Sequence, residues 1–193
     1  MRKLIMKMSI SLDGFVCGAN GEMDWLFKTG DEESKAWVVG ICQEAGIHIM
    51  GRKTFQNMSS FWPTATGPFA APMNEIPKAV FTQKGYKGLG SVNSSSPAVA
   101  SWVDARIFSG DFVEGIKSLK SEPGKPILAH GGAGFMKSLI ASGLIDEYYL
   151  PVHPVVLGAG MPIFNGLAKT HYLKLMDVKV FPNGVVGHTF HPV

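Results

Sequence analysis

The sequence predicts an α/β fold: a mixed, mainly parallel sheet flanked by helices, ending in an antiparallel hairpin. Three observations carry this. Short apolar runs of strand length alternate with segments of helical periodicity. Two strand-to-helix junctions are glycine turns, at Gly51 and at residues 131–134. Two final strand-like runs, residues 172–180 and 185–191, flank the turn sequence Pro182-Asn183-Gly184.

The elements follow in order. Residues 4–12 read as a first buried strand, after which Asp13-Gly14, Gly18, Asn20 and Gly21 give turn chemistry to a loop running to Trp25. Asp31 is placed to cap a helix through Trp37, Val38, Ile41 and Cys42 that ends near Gly46, and its acidic first turn suits the helix dipole. A strand over 47–50 leads into the Gly51 turn and a short helix around Phe55. The Pro/Gly/Ala-rich stretch from Phe61 to Pro77 predicts irregular structure. A strand over 78–82 precedes a Gly/Ser-rich loop, residues 85–97, and residues 102–108 predict another strand. Asp111 caps a helix with Phe112, Val113, Ile116 and Leu119 on one face, stopped by Pro123-Gly124. A strand over 126–130, the second glycine turn, a helix ending near Gly143 and a strand over 148–157 complete the chain before the hairpin.

Composition narrows the class. The chain has 193 residues, 46% apolar and 17% charged, which fits one globular domain spanning residues 1–193. Its net charge of +3 is too small and dispersed for a nucleic-acid surface, yet it suits a locally positive phosphate pocket. Cys17 and Cys42 lack companions at zinc-ligand spacing, so free thiols in a reducing compartment and no metal are expected. Lys7 interrupts the N-terminal apolar run and no small-residue cleavage site follows. No stretch approaches the roughly 20 apolar residues that span a bilayer, and the expected location is the cytoplasm.

The two glycine turns carry the chemistry. Gly131-Gly132-Ala133-Gly134 lies between an apolar strand and an amphipathic helix beginning with Phe135 and Met136. Without Cβ atoms the backbone can approach an anion, and the unpaired amides of a helix start point toward it. Taken alone, the pattern is equally a tight turn. Gly51-Arg52-Lys53-Thr54 adds two cations and a hydroxyl at another such junction. Cations at a helix start oppose its dipole by roughly 0.3–1 kcal/mol each, so an anionic ligand explains them better than a solvated helix end. Two such turns on one sheet could hold a dinucleotide.

Four ordered blocks then resemble a family. Ser11-Leu12-Asp13-Gly14-Phe15, Met50-Gly51-Arg52-Lys53-Thr54-Phe55, His130-Gly131-Gly132-Ala133, and Leu144-Ile145-Asp146-Glu147 followed by Pro154-Val155-Val156-Leu157-Gly158-Ala159-Gly160 resemble the dihydrofolate-reductase-like superfamily, specifically the RibD C-terminal branch of riboflavin-pathway reductases. The resemblance implies an NADPH-dependent oxidoreductase of riboflavin biosynthesis type. It would transfer hydride to a C=N bond of a pyrimidine or pterin-like substrate, with the cofactor across the carboxyl ends of the strands. A true dihydrofolate reductase, or an NADPH-binding regulatory module without turnover, are the alternatives.

Residue roles follow from the resemblance. Arg52 would pair with the adenosine 2′-phosphate through its guanidinium fork, helped by Thr82 and Gln83. Lys53 and Thr54 would contact the pyrophosphate, which Gly51 and the Gly131, Gly132, Ala133, Gly134, Phe135 turn would cradle. Phe15 and Trp25 would meet the substrate, although a packing role also suits Trp25. Three carboxylates are catalytic candidates, each with a plain alternative. Asp13 orients substrate, donates a proton, or shapes a turn. Asp31 recognises the heterocycle or caps its helix. Glu147 meets the substrate or is a solvated strand start. His130 and His153 lie near the predicted pocket without partners at ligand spacing. The resemblance also implies a homodimer.

Overall fold

The computed structural model describes residues 1–83 and 97–193, so residues 85–96 of the predicted Gly/Ser loop lie outside the described residues. Among the described residues, nine strands form one sheet. They are β1 (Leu4–Lys7), β2 (Ile10–Ser11), β3 (Ile47–Gly51), β4 (Lys78–Thr82), β5 (Arg106–Ser109), β6 (Ile127–Ala129), β7 (Glu147–His153), β8 (Leu173–Val180) and β9 (Val186–Pro192). The order is β5-β4-β3-β6-β1-β7-β9-β8, with β2 alongside β7. Pairing is parallel from β5 to β7 and antiparallel for β9 and β8, as predicted.

Among the described residues, seven α-helices cover the sheet: α1 (Trp25–Thr29), α2 (Glu32–Gln43), α3 (Arg52–Phe61), α4 (Ala70–Glu75), α5 (Pro97–Val103), α6 (Phe112–Ser121) and α7 (Ala133–Ser142). One face of the sheet, through Leu4, Met6, Ile49 and Ala129, packs on Ile116 and Leu119 of α6 and on Met136 and Leu139 of α7. On the other face, Ile5 and Leu128 meet Val38, Ile41 and Cys42 of α2, while Met50 and Val80 meet Phe55, Met73 and Trp102. Burial on both faces is why the central strands read as continuous apolar runs. Edge strand β8 leaves Leu175, Met176, Val178 and Val180 exposed.

The structure corrects the predicted elements in four places. Residues 4–12 are two strands, because β6 ends at Ala129 and beyond it the chain has only β7 to pair with, at Ile10↔Val152. Within the stretch predicted as irregular, Trp62–Thr64 form a 3-10 turn and Ala70–Glu75 form α4. Pro72 is tolerated there because first-turn amides have no intrahelical partner. Residues 102–108 are not one strand: Trp102 and Val103 end α5 and only Arg106–Ser109 pair with β4. Trp102 is fully buried, and its indole donates to Asn74 Oδ1 at 2.9 Å. Removing a buried Trp costs about 3–5 kcal/mol, against tenths of a kcal/mol for local helix preference, so packing decides. Finally, β7 stops at His153 rather than at 157, because Pro154 has no amide for the ladder.

Candidate active site

Parallel strands present their carboxyl ends together, and here those ends open into helices α3, α6 and α7. The turns β3–α3 and β6–α7 are direct neighbours. The Gly51 amide donates to the Gly131 carbonyl at 3.0 Å, and the His130 amide to Ile49 O at 3.0 Å. Gly131 has φ 114°, a region costly for any residue with a Cβ. A Cβ on Gly132 would stand 2.8 Å from Thr54 Oγ1, so the second turn closes on the first only with glycine there.

Capping separates the helices into two kinds. Asp31 caps α2 by accepting from the Ser34 amide at 2.7 Å, and Asp111 caps α6 by accepting from the Glu114 amide at 2.9 Å. The starts of α3 and α7, after Gly51 and Gly132, carry no side-chain cap, as is also true of the short helices α1 and α4 away from the glycine turns. Among the described residues no N-cap side chain takes the first amides of α3 and α7, which lie side by side next to the exposed cations Arg52 and Lys53. This donor set fits a pyrophosphate.

A cavity of about 920 Å³ runs from this point between α6 and α7. Gly51, Thr82, Gln83, Gly134 and Phe135 line it, five of the residues expected to hold the cofactor. Four phenyl rings form its apolar side: Phe81 stacks on Phe108 at 4.8 Å, and Phe112 and Phe135 meet edge to face at 5.6 Å. A planar base could lie against such a wall. Ser109, Gly110 and Asp111 also line the cavity, so the β5–α6 junction is a third glycine turn at the site that the sequence reading passed over. Its signal in the sequence is Gly110 directly before the capping Asp111, and in the structure Gly110 takes φ 129°.

On the α2 side the same edge is built differently. Trp25 is buried, with its ring edge-on to His153 at 5.2 Å, and His153 Nδ1 lies 2.7 Å from Thr29 Oγ1. Lys7 closes β1, and His130 follows β6. His48 and His130 touch with ring centroids 4.4 Å apart. Burial pushes His48 down to about 3 and His153 down to about 4, and holds His130 well below the usual range, so these imidazoles are neutral near pH 7.

The predicted carboxylates divide. Asp13 accepts from Ser11 Oγ at 2.6 Å and from the Gly158 amide at 2.8 Å, pinning the segment after β7 to the end of β2. Those hydrogen bonds, Ser11 foremost, hold it below the ordinary carboxylate range. Phe15, next in that loop, bridges to Pro162. Asp31 has both oxygens taken, by the amides of Ser34 at 2.7 Å and Asn183 at 2.9 Å. Glu147 is a correction. It opens β7, paired in register with Ile5, and so lies at the amino edge of the parallel strands, the end away from the glycine turns. There it binds the Lys3 ammonium, with Tyr149 Oη at 3.2 Å and His191 Nε2 at 3.4 Å.

A family model described as the RibD C-terminal domain matches residues 2–187. The chain belongs to this family. Its relative YyaP of Bacillus subtilis strain 168, an uncharacterized protein, is 31% identical over 98% of this chain and 95% of its own length. Among solved structures, a Shewanella sp. PV-4 protein provisionally assigned to riboflavin biosynthesis aligns with a TM-score of 0.78 at 21% identity, covering 99% of each chain. The diaminohydroxyphosphoribosylaminopyrimidine deaminase/5-amino-6-(5-phosphoribosylamino)uracil reductase of Thermotoga maritima aligns at 0.72 and 13% identity, over 100% of this chain and 57% of that one. Enterococcus faecalis dihydrofolate reductase, solved with NADP(H), aligns at 0.63 and 15% identity, over 98% of this chain and 96% of that one. These likenesses establish the dihydrofolate-reductase-like fold. No helix among the described residues is long and apolar enough to cross a membrane, and no described group of His, Cys, Asp and Glu could hold a metal ion.

Proposed function

We propose that this RibD C-terminal domain is an NADPH-dependent reductase. It transfers hydride to a C=N bond of a pyrimidine or pterin-like heterocycle, in the manner of 5-amino-6-(5-phosphoribosylamino)uracil reductase. The observation that carries the reading is the pair of adjacent, uncapped helix starts beside two exposed cations, opening into the phenyl-walled cavity. When bound, NADPH supplies the hydride. This chain's residues hold it: the amides after Gly51 and Gly132 and the Lys53 ammonium face the pyrophosphate, Arg52 faces the 2′-phosphate, and Thr82 and Gln83 flank the adenosine end. Trp25 excludes water from the α2 side, where the heterocycle is received.

Two further expectations belong to this reading. Cys17 and Cys42 are free and buried, which suits the reducing cytoplasm. The exposed apolar side chains of β8 would be covered in a homodimer.

Calorimetric titration with NADPH and NADH tests the proposal. NADPH should bind at least about tenfold more tightly, the scale of one charge-assisted contact. Equal affinity for the two, or no binding of either, refutes it.

A further inference from the structure

On the sheet face that α6 and α7 cover, β7 and β9 continue past α7, and there the cover is the irregular chain between Phe164 and Leu173 rather than a helix. A second cavity, of about 680 Å³, remains beneath it. Small-molecule sites span roughly 300–1,000 Å³. The walls are apolar: Ile140 of α7, Leu150 of β7, Leu173 of β8, Phe190 of β9, and Phe164 and Leu167 of the covering chain. The cavity is separate from the cofactor seat. Helix α7 gives Gly134 and Phe135, in its first turn, to the first cavity and Ile140, in its last, to this one.

One polar group inside the cavity points to a ligand. Tyr148 lines it with only 2% of the residue exposed, and the Tyr148 hydroxyl has no hydrogen-bond partner among the described residues. The sealed polar atoms without partners are on Trp25, His48, His130 and His188. The Tyr148 hydroxyl is therefore open to space, and the cavity is the space its side chain lines. Burial pushes this phenol up to about 12, which keeps it a donor near pH 7.

The rim adds charge of one sign. Lys169 lines the cavity beside Thr170 and His171, and no carboxylate side chain lines it. None of these three side chains has a hydrogen bond or ion pair among the described residues. A cationic ligand would meet Lys169 with like charge, and a plain hydrocarbon would leave the Tyr148 hydroxyl unpaired. An anionic acceptor satisfies both groups, and phenyl walls favour a ring as the body that carries it.

We propose that this cavity is a second ligand site, specific for a small aromatic carboxylate whose ring lies against Phe164 and Phe190 and whose carboxylate accepts from the Tyr148 hydroxyl on the side of the Lys169 ammonium. The site stands independently of the reductase reading.

Calorimetric titration of the full chain near pH 7 with 1-naphthylacetate, and with 1-naphthylacetamide as its uncharged counterpart, tests it. The carboxylate should bind, and the amide at least about tenfold more weakly. Tyr148→Phe removes a hydroxyl that no described protein group uses, so Tm should hold or rise while carboxylate affinity falls about tenfold. Lys169→Gln, on the exposed rim, should weaken the carboxylate about two- to fivefold. Arg52→Ala should leave its affinity unchanged, which separates this cavity from the phenyl-walled one. No binding of the carboxylate, equal binding of the amide, affinity unmoved by Tyr148→Phe, or affinity lowered by Arg52→Ala overturns the proposal. A lower Tm for Tyr148→Phe also overturns it, by revealing a protein partner for the hydroxyl. So does a probe that binds only by dissociating a dimer in parallel sedimentation runs, which would make a second copy of this chain the occupant.

Discussion

Arg52→Ala should weaken cofactor binding and strengthen the empty fold, two effects of opposite sign from one residue. Arg52 is the first residue of α3, exposed, with no described ion-pair partner. No ion pair or hydrogen bond among the described residues is lost with its side chain. The helix start it occupies is uncapped and positive by dipole, so removing a cation there should stabilise by about 0.3–1 kcal/mol. For a chain of this size that is a rise of roughly 1–3 °C in Tm. The bound state loses instead a charge-assisted contact to the 2′-phosphate, about 1.5–3 kcal/mol, or roughly tenfold to 150-fold in Kd for NADPH. NADH, which lacks that phosphate, should be nearly indifferent. Thermal melts without ligand and calorimetry with each cofactor read the two effects independently. A lower Tm would show that Arg52 has a structural partner, and equal losses for NADPH and NADH would remove the 2′-phosphate assignment.

Two further perturbations probe the fold around the site. Gly132→Ala puts a Cβ 2.8 Å from Thr54 Oγ1, and overpacking of this kind costs about 1–3 kcal/mol in urea unfolding. Adding Thr54→Ala should restore most of it, whereas additive losses would mean that the two turns do not press on each other. Acid should destabilise the protein through its buried imidazoles. The ring of His48 falls from 6.5 to about 3 by burial, so between those values the unfolded chain binds a proton that the folded chain refuses. Stability is then fully present above about pH 6.5 and lost as pH falls, at about 1.4 kcal/mol per unit for each such histidine. His48→Asn should flatten the slope by about one proton, and an unchanged slope would refute its burial as the cause.

Much of the architecture was legible because it is written in local pattern. The doubly buried strands β3, β4 and β6 are mainly apolar runs, and Asp31 and Asp111 mark helix starts by the chemistry of capping. The two glycine turns were visible for the same reason, and the structure sets them side by side. What local pattern could not show is decided by contacts between distant residues. Trp102 and Met73 have side chains acceptable in strand or loop, and become helical because Asn74, Phe55 and Trp102 pack together. Glu147 was misplaced for a geometric reason: a parallel strand has two ends about 20 Å apart, and only its direction in the sheet says which one meets the ligand.

The uncapped starts of α3 and α7 leave part of the fold for another molecule to finish. Proteins that bind a ligand only when folded gain resistance to heat and proteases in proportion to the logarithm of ligand supply. If the proposed cofactor seats there, survival of this chain against a protease would therefore report how much of that dinucleotide the surrounding medium holds, in either oxidation state, because both forms carry the same phosphates.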